Sequence, residues 1–348
     1  MSHRTIISAL LALIALAVPA AAQAASSPAL VFSKVSTVDD KTTGGLYAVR
    51  DGRLNQLTTD PTDTEPNFSP DGRTIAFARN GDLFSVRPDG SGQRQLTSGP
   101  EVDSLPIVSP NGKYVVFERR ASAGAPADLY TVGATGGGLR ALTSGANDDR
   151  EATFAPDGKA IAFVRGSADA AGAINDDIYS VRPTGGDLAR LTQTAVVDEF
   201  APRFFAGGIL YSRGESSPGP AAYADIYTMK RNGSKIRSQI AGVGSAYVED
   251  VSPDGHTVVF RRDQGLWVKH IGAGKARRLS ALPDGSQTSS VFSSNGKSVA
   301  AFVAIENEQA LVSIAVANGR QTRLADAVHY SEGDGTVIGP VIDWQPVR

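Results

Sequence analysis

Apolar residues in this chain fall into short runs that recur at a nearly constant distance, each announced by a tight-turn signal. FSPDGRTIAF (68–77), VSPNGKYVVF (108–117), FAPDGKAIAF (154–163) and VSPDGHTVVF (251–260) share one frame: an apolar residue, a four-residue turn, then an apolar strand. FFAGGILY from Phe204 and FSSNGKSVAAF from Phe292 follow it more loosely, and DWQP (343–346) repeats its beginning. Aligned on Phe68, Val108, Phe154, Phe204, Val251, Phe292 and Trp344, the spacings are 40, 46, 50, 47, 41 and 52 residues, the length of a propeller blade.

Each unit carries two further strand-like pieces. The first reads DLFSV (82–86), DLYTV (128–132), DIYSV (177–181), DIYTM (225–229) and GLWV (265–268); the second reads RQLT (94–97), RALT (140–143), ARLT (189–192) and RRLS (277–280). One unit is therefore four antiparallel strands, A to D, whose faces need neighbours to cover them. The predicted fold is all-β: a propeller of seven four-stranded blades, with six or eight left open because the unit at Phe204 lacks the Pro-Asp-Gly turn and 325–339 is long. Residues 30–32, 46–49 and 54–58 read as strands B, C and D of a blade without its strand A, and 341–344 reads as the missing strand. Pairing the N-terminal strands with the C-terminal one would close the ring and remove an open edge.

Composition sharpens the picture in three places. Residues 1–4 are positively charged, 6–18 are almost wholly apolar and Ala22-Gln23-Ala24 offers a cleavage site, so 1–24 reads as a signal peptide and 25–348 as one propeller domain, secreted or periplasmic and not integral to a membrane after cleavage. There is no cysteine, which excludes disulfides, thiolate metal sites, a thiol nucleophile and an N-terminal lipid anchor. The net charge of −2 argues against a nucleic-acid partner.

The repeated [FV]-[SA]-P-[DN]-G-[KR] turn, the D-[LI]-[YF] strand and the L-T ending resemble the repeats of TolB-like propellers across nearly all of the chain after residue 24. That resemblance implies a periplasmic, partner-binding protein of the cell envelope. Members of the family carry an α/β domain ahead of the propeller, and here the first blade begins at about Leu30, so that domain is expected to be lacking. Similar repeats occur in prolyl oligopeptidase propellers and some polysaccharide lyases, so the pattern speaks to fold more than to function.

Pro-Asp-Gly is turn chemistry, and Asp71, Asp157 and Asp254 are read as structural. Asp82, Asp128, Asp177 and Asp225 are read as caps on strand C, and the strand D arginines as protection of an outer edge. The D-to-A connections share one face with the B-to-C loops and hold sixteen acidic residues and one basic one, Arg150. Asp63, Glu65, Asp103, Asp149, Glu151, Asp198, Glu199, Glu249 and Asp250 lead into innermost strands and are expected to form an acidic ring at the channel mouth, beside the long loops 121–127, 166–176 and 214–224. Such a ring would attract a protein or peptide with a basic segment, or a divalent cation such as calcium. Arg203 is expected to pair with Asp198 or Glu199. No catalytic set is evident: His256, His270 and His329 fall on an A-to-B turn, strand C and a D-to-A loop, G-x-S-x-G is absent, and Gly296-Lys297-Ser298 sits in a turn. The expectation is a monomeric, cofactor-free binding or scaffold module, with a lyase or glycosidase acting on an extracellular polysaccharide as the alternative.

Overall fold

The computed structural model describes residues 30–344 except 40, 169–173, 195–196, 215–222, 243–244, 282–288, 306–307 and 326–335. The leader at 1–24, His329, most of 325–340 and parts of the loops 166–176 and 214–224 lie outside the described residues. Seven four-stranded antiparallel sheets make up the fold. Blade 1 joins Thr336–Trp344, as its innermost strand, to Leu30–Val38, Lys41–Arg50 and Arg53–Gln56, with Leu30 opposite Trp344 and Phe32 opposite Ile342. The termini thus close the ring within one sheet. Blades 2 to 7 are sequential meanders starting at Thr64, Val102, Asp148, Asp198, Ala246 and Ser290.

Second strands are covered on both faces, so they are apolar without alternation: Ile75, Ala76, Phe77 and Ala78 are all buried. The core is divided into seven clusters, one for each seam between neighbouring blades. Val31, Leu46 and Leu57 of blade 1 meet Phe68, Ile75 and Phe77 of blade 2, and Phe302 and Leu311 of blade 7 meet Leu30 and Phe32 of blade 1. The last seam is as apolar as the others, which is why the ring closes without a disulfide.

The repeated turn is held by its own side chains. Asp71 accepts the Ser69 hydroxyl at 2.7 Å and the Arg73 amide at 3.0 Å, the Ser69 Oγ accepts the Thr74 amide at 3.0 Å, and Gly72 takes φ 63°. Asn111, Asp254 and Asn295 repeat these bonds. Strand D is clipped to strand C by the threonine of the L-T ending: Thr97, Thr143 and Thr192 accept the amides of Leu83, Leu129 and Ile178 at 2.8–2.9 Å. Its arginines do more than guard an edge, since Arg94 and Arg140 donate to carbonyls of Thr135 and Thr184 in the following blade.

Candidate functional site

Of the nine acids expected at the channel mouth, all but Asp198 fall into two sets of four. Asp63, Asp103, Asp149 and Glu199 point into their own blades and are buried. Asp63 accepts Nε and Nη2 of Arg79 at 2.5 and 2.8 Å, Asp103 those of Arg119 at 2.7 and 2.8 Å, and Asp149 those of Arg165 at 2.6 and 2.7 Å. Each guanidinium also lies over two rings, Arg119 over Phe117 and Tyr130, Arg165 over Phe163 and Tyr179. These carboxylates are neutralised architecture and add little to the field at the mouth. In blade 5 the acid is longer: Glu199 stands 3.2 Å from Arg213 Nε, accepts the Thr194 hydroxyl, and burial pushes its pKa up to about 7. Tyr211 occupies the Phe77 position there, and its buried hydroxyl has no hydrogen-bond partner among the described residues. Asp198 accepts the Asp176 amide at 3.1 Å. Arg203 meets neither Asp198 nor Glu199: its Nε donates to the Glu249 carbonyl at 3.2 Å and it faces the channel.

The second set, Glu65, Glu151, Glu249 and Asp250, does line the channel, joined by Glu118 and Asp343. A β-bulge places Glu65 and Glu151. Strands A of blades 2 to 5 slip register at Glu65, Leu105, Glu151 and Ala201, all with left-handed φ of 50–56°. The four bulge residues themselves border the channel, and the amides of Leu105 and Ala201 are taken by the acid of the preceding blade. Glu65 accepts the Leu105 amide at 2.5 Å and Glu151 the Ala201 amide at 2.6 Å. One level deeper Asp343 accepts the Phe68 amide at 2.6 Å, Asn67 the Val108 amide at 2.8 Å, and Asp250 the Phe292 amide at 2.8 Å. Glu249 accepts the Ser290 amide at 3.1 Å and pairs with Arg261. Each acid thus bridges two blades with one oxygen and borders the channel.

The channel holds a recess of about 840 Å³. Its lining includes six carboxylates, two arginines (Arg203 and Arg261) and the aromatics Phe200, Tyr247 and Trp344. Phe200 and Tyr247 pack with centroids 5.7 Å apart and their planes tilted by 35°, forming an apolar wall. Burial pushes the Asp343 pKa up to about 7 and, with repulsion from neighbouring carboxylates minor, raises those of Glu65, Glu118, Glu249 and Asp250. The recess is therefore acidic and rich in acceptors, but holds part of its protons at neutral pH. Among the described residues no group of three or more His, Asp or Glu side chains is arranged to hold a metal ion, and no helix is long and apolar enough to cross a membrane.

A closed ring of seven four-stranded blades carrying Pro-Asp-Gly turns defines the chain as a seven-bladed β-propeller whose repeats resemble those of TolB. The Tol-Pal system protein TolB of Gluconobacter oxydans is 42% identical over 64 residues, a stretch that amounts to 17% of this chain and 14% of that protein. Among solved structures, TolB from Acinetobacter baumannii aligns with 92% of this chain and 83% of its own at 15% identity and TM-score 0.55. Oligogalacturonate lyase from Vibrio parahaemolyticus aligns with 81% and 90% at 15% identity and TM-score 0.62, and a puromycin-hydrolyzing peptidase of Mycobacterium tuberculosis with 88% and 54% at 14% identity and TM-score 0.66. These structural likenesses establish the fold, which the enzymes and TolB share. No family model matches the chain.

Proposed function

We propose that this protein is a secreted or periplasmic, monomeric binding module of the cell envelope that receives a basic, aromatic-bearing segment of a partner protein in its central channel. The observation that carries this reading is the recess itself, about 840 Å³, walled by six carboxylates against two arginines, with the Phe200–Tyr247 pair on one side. Carboxylates already bridging blades lose little freedom on binding, so a cation gains a preorganised acceptor. The TolB likeness supports a protein partner, and the reading requires no resident cation.

The test is calorimetric titration of a Lys/Arg-rich peptide containing Trp or Tyr, against an acidic peptide of equal length. Glu65→Gln with Glu151→Gln should weaken the basic peptide about tenfold or more while leaving thermal stability nearly unchanged. Equal affinity for both peptides would remove the channel from the model. A second reading rests on Asp343 and Asp250, two carboxylates in the channel with raised pKa values, as acid–base groups of a polysaccharide lyase or glycosidase. Turnover of an acidic polysaccharide that disappears in Asp343→Asn would favour it.

A further inference from the structure

The face opposite the channel mouth, made of A-to-B and C-to-D turns, has its own chemistry. Leu139, Leu188 and Ile236 are 48%, 48% and 45% exposed. They occupy one structural position, the residue just before the strand D partner of Thr131, Ser180 and Thr228, in three consecutive blades. Single exposed aliphatics need no explanation, but a row at one level on neighbouring blades is a patch in the making. Ile236 is flanked by Lys235 and Arg237, and Lys235 has φ 59°, a left-handed residue that turns the tip outward.

Charge runs with the row. The C-to-D turns KRNGSKIR (230–237) and KHIGAGKAR (269–277) hold seven lysines and arginines and no carboxylate, in a chain of net charge −2. Arg231 pairs with Asp157 at 2.7 Å and Arg277 donates to the Val316 carbonyl, while Lys230, Lys235, Arg237 and Lys275 stand exposed. The channel-lining Glu65, Glu151, Glu249 and Asp250 belong to the opposite end of the ring, while Asp71, Asp157 and Asp187 of the turn face pair with Arg73, Arg231 and Arg182, so the molecule is polarised along its axis.

We infer that the C-to-D turn face of blades 3 to 6 docks the protein onto an anionic lipid surface, with Leu139, Leu188 and Ile236 entering the headgroup layer and Lys230, Lys235 and Lys275 facing lipid phosphates. A plane fits better than an acidic peptide, because the aliphatics follow the outer rim across three blades instead of lining one groove, and the lysines of the next turns, Lys230, Lys235 and Lys275, continue that rim from Ile236 into blade 6. Docked this way, the channel mouth points away from the membrane. The inference does not depend on what the channel binds.

The experiment is flotation of the full chain with vesicles of neutral phosphatidylcholine and with vesicles in which about one-third of the lipid is phosphatidylglycerol, at low and high salt. The protein should float with the anionic vesicles alone and be released by salt. Replacing Lys230, Lys235 and Lys275 by Gln should weaken partitioning about fivefold per cation, about a hundredfold together. Ile236→Ser, at an exposed position, should weaken it without lowering thermal stability, and Glu65→Gln with Glu151→Gln should float as the wild type does. No flotation, equal flotation on neutral vesicles, or wild-type partitioning by both turn-face variants would overturn the inference. So would binding of a soluble polyglutamate by the same lysines with no effect of Ile236→Ser, which would mark an acidic-protein surface.

Discussion

Replacing Asp149 by asparagine separates the acids that build the ring from those that face its channel. The Asp149 side chain is 1% exposed and holds Arg165 through two bonds of 2.6 and 2.7 Å, with the guanidinium seated over Phe163 and Tyr179. An amide preserves the volume but turns an NH2 group toward the guanidinium donors, leaving a cation in the seam with half its acceptors. Breaking a buried pair from one side costs about 3–5 kcal/mol. The Arg165 side chain keeps 10% exposure, so the lower end, about 3 kcal/mol, is expected. In a chain this long each kcal/mol moves the melting temperature by about 2 °C, which gives a drop of about 6 °C. Glu151→Gln is the control, because the glutamine carbonyl can accept the Ala201 amide in the same way, and its cost should stay within about 0.5 kcal/mol. Scanning calorimetry of both variants at neutral pH decides. Equal drops would refute the division into structural and channel-facing acids. A double replacement, Asp149→Leu with Arg165→Met, should recover much of the loss, since no charge is then left without its partner.

Other consequences follow from particular groups. Tyr211→Phe removes a buried hydroxyl with no partner among the described residues and should stabilise by about 1 kcal/mol; a lower melting temperature would show that the hydroxyl is satisfied. Glu199 and Asp343 have folded pKa values of about 7, above their ordinary carboxylate values, so the folded state keeps protons that the unfolded chain has released. Their contribution to stability is therefore greatest below about pH 4, falls as pH rises, and levels off above about pH 7. Melting temperatures measured from pH 5.5 to 8 should decline less in Glu199→Gln with Asp343→Asn than in the wild type, and an unchanged slope would sink the assignment. Release of the Asp343 proton should make basic-peptide affinity rise across that range, by calorimetry at pH 6 and pH 8. Truncation before Thr336 removes the strand paired with Leu30–Ser36 and should abolish cooperative unfolding by exposing an apolar blade edge.

Blade length, blade number, strand order and the closing strand were all legible in the sequence, because turn chemistry and apolar runs repeat together and only radial packing buries both faces of such sheets. The D-to-A acids were legible only as a group: their loops alone do not show that Asp63, Asp103, Asp149 and Glu199 are buried against arginines while Glu65, Glu151, Glu249 and Asp250 line the channel. The signal was present: Asp63 and Arg79, Asp103 and Arg119, and Asp149 and Arg165 are each sixteen residues apart, a fixed offset that pairs strand A with strand B across the turn. Glu118 and Asp343 were missed for a different reason. Glu118 sits on a second strand, where its neighbours are buried apolar residues, and Asp343 lies in the closing strand, where the repeat is a fragment. The bulge that turns Glu65 and Glu151 inward follows from backbone geometry with no glycine to announce it.

Repetition itself then distinguishes the two kinds of residue. Positions that recur from blade to blade, the turn Asp or Asn, the strand C aromatics and the Asp–Arg pairs of blades 2 to 4, do the same structural job wherever they occur. The position before the aligned apolar residue does not recur: it is Asn67, Ile107, Thr153, Arg203, Asp250, Val291 and Asp343 around the ring, and all seven line the channel recess. Identical side chains there would give a rotationally symmetric channel, which could orient no ligand that lacks the same symmetry. Because the seven differ, the wall is acidic toward Asp250 and Asp343, apolar at Ile107 and Val291 and cationic at Arg203. A chain segment entering it would meet a defined orientation and register. This asymmetry within a symmetric frame is what a site specific for one extended partner requires, and a merely structural ring would not need it.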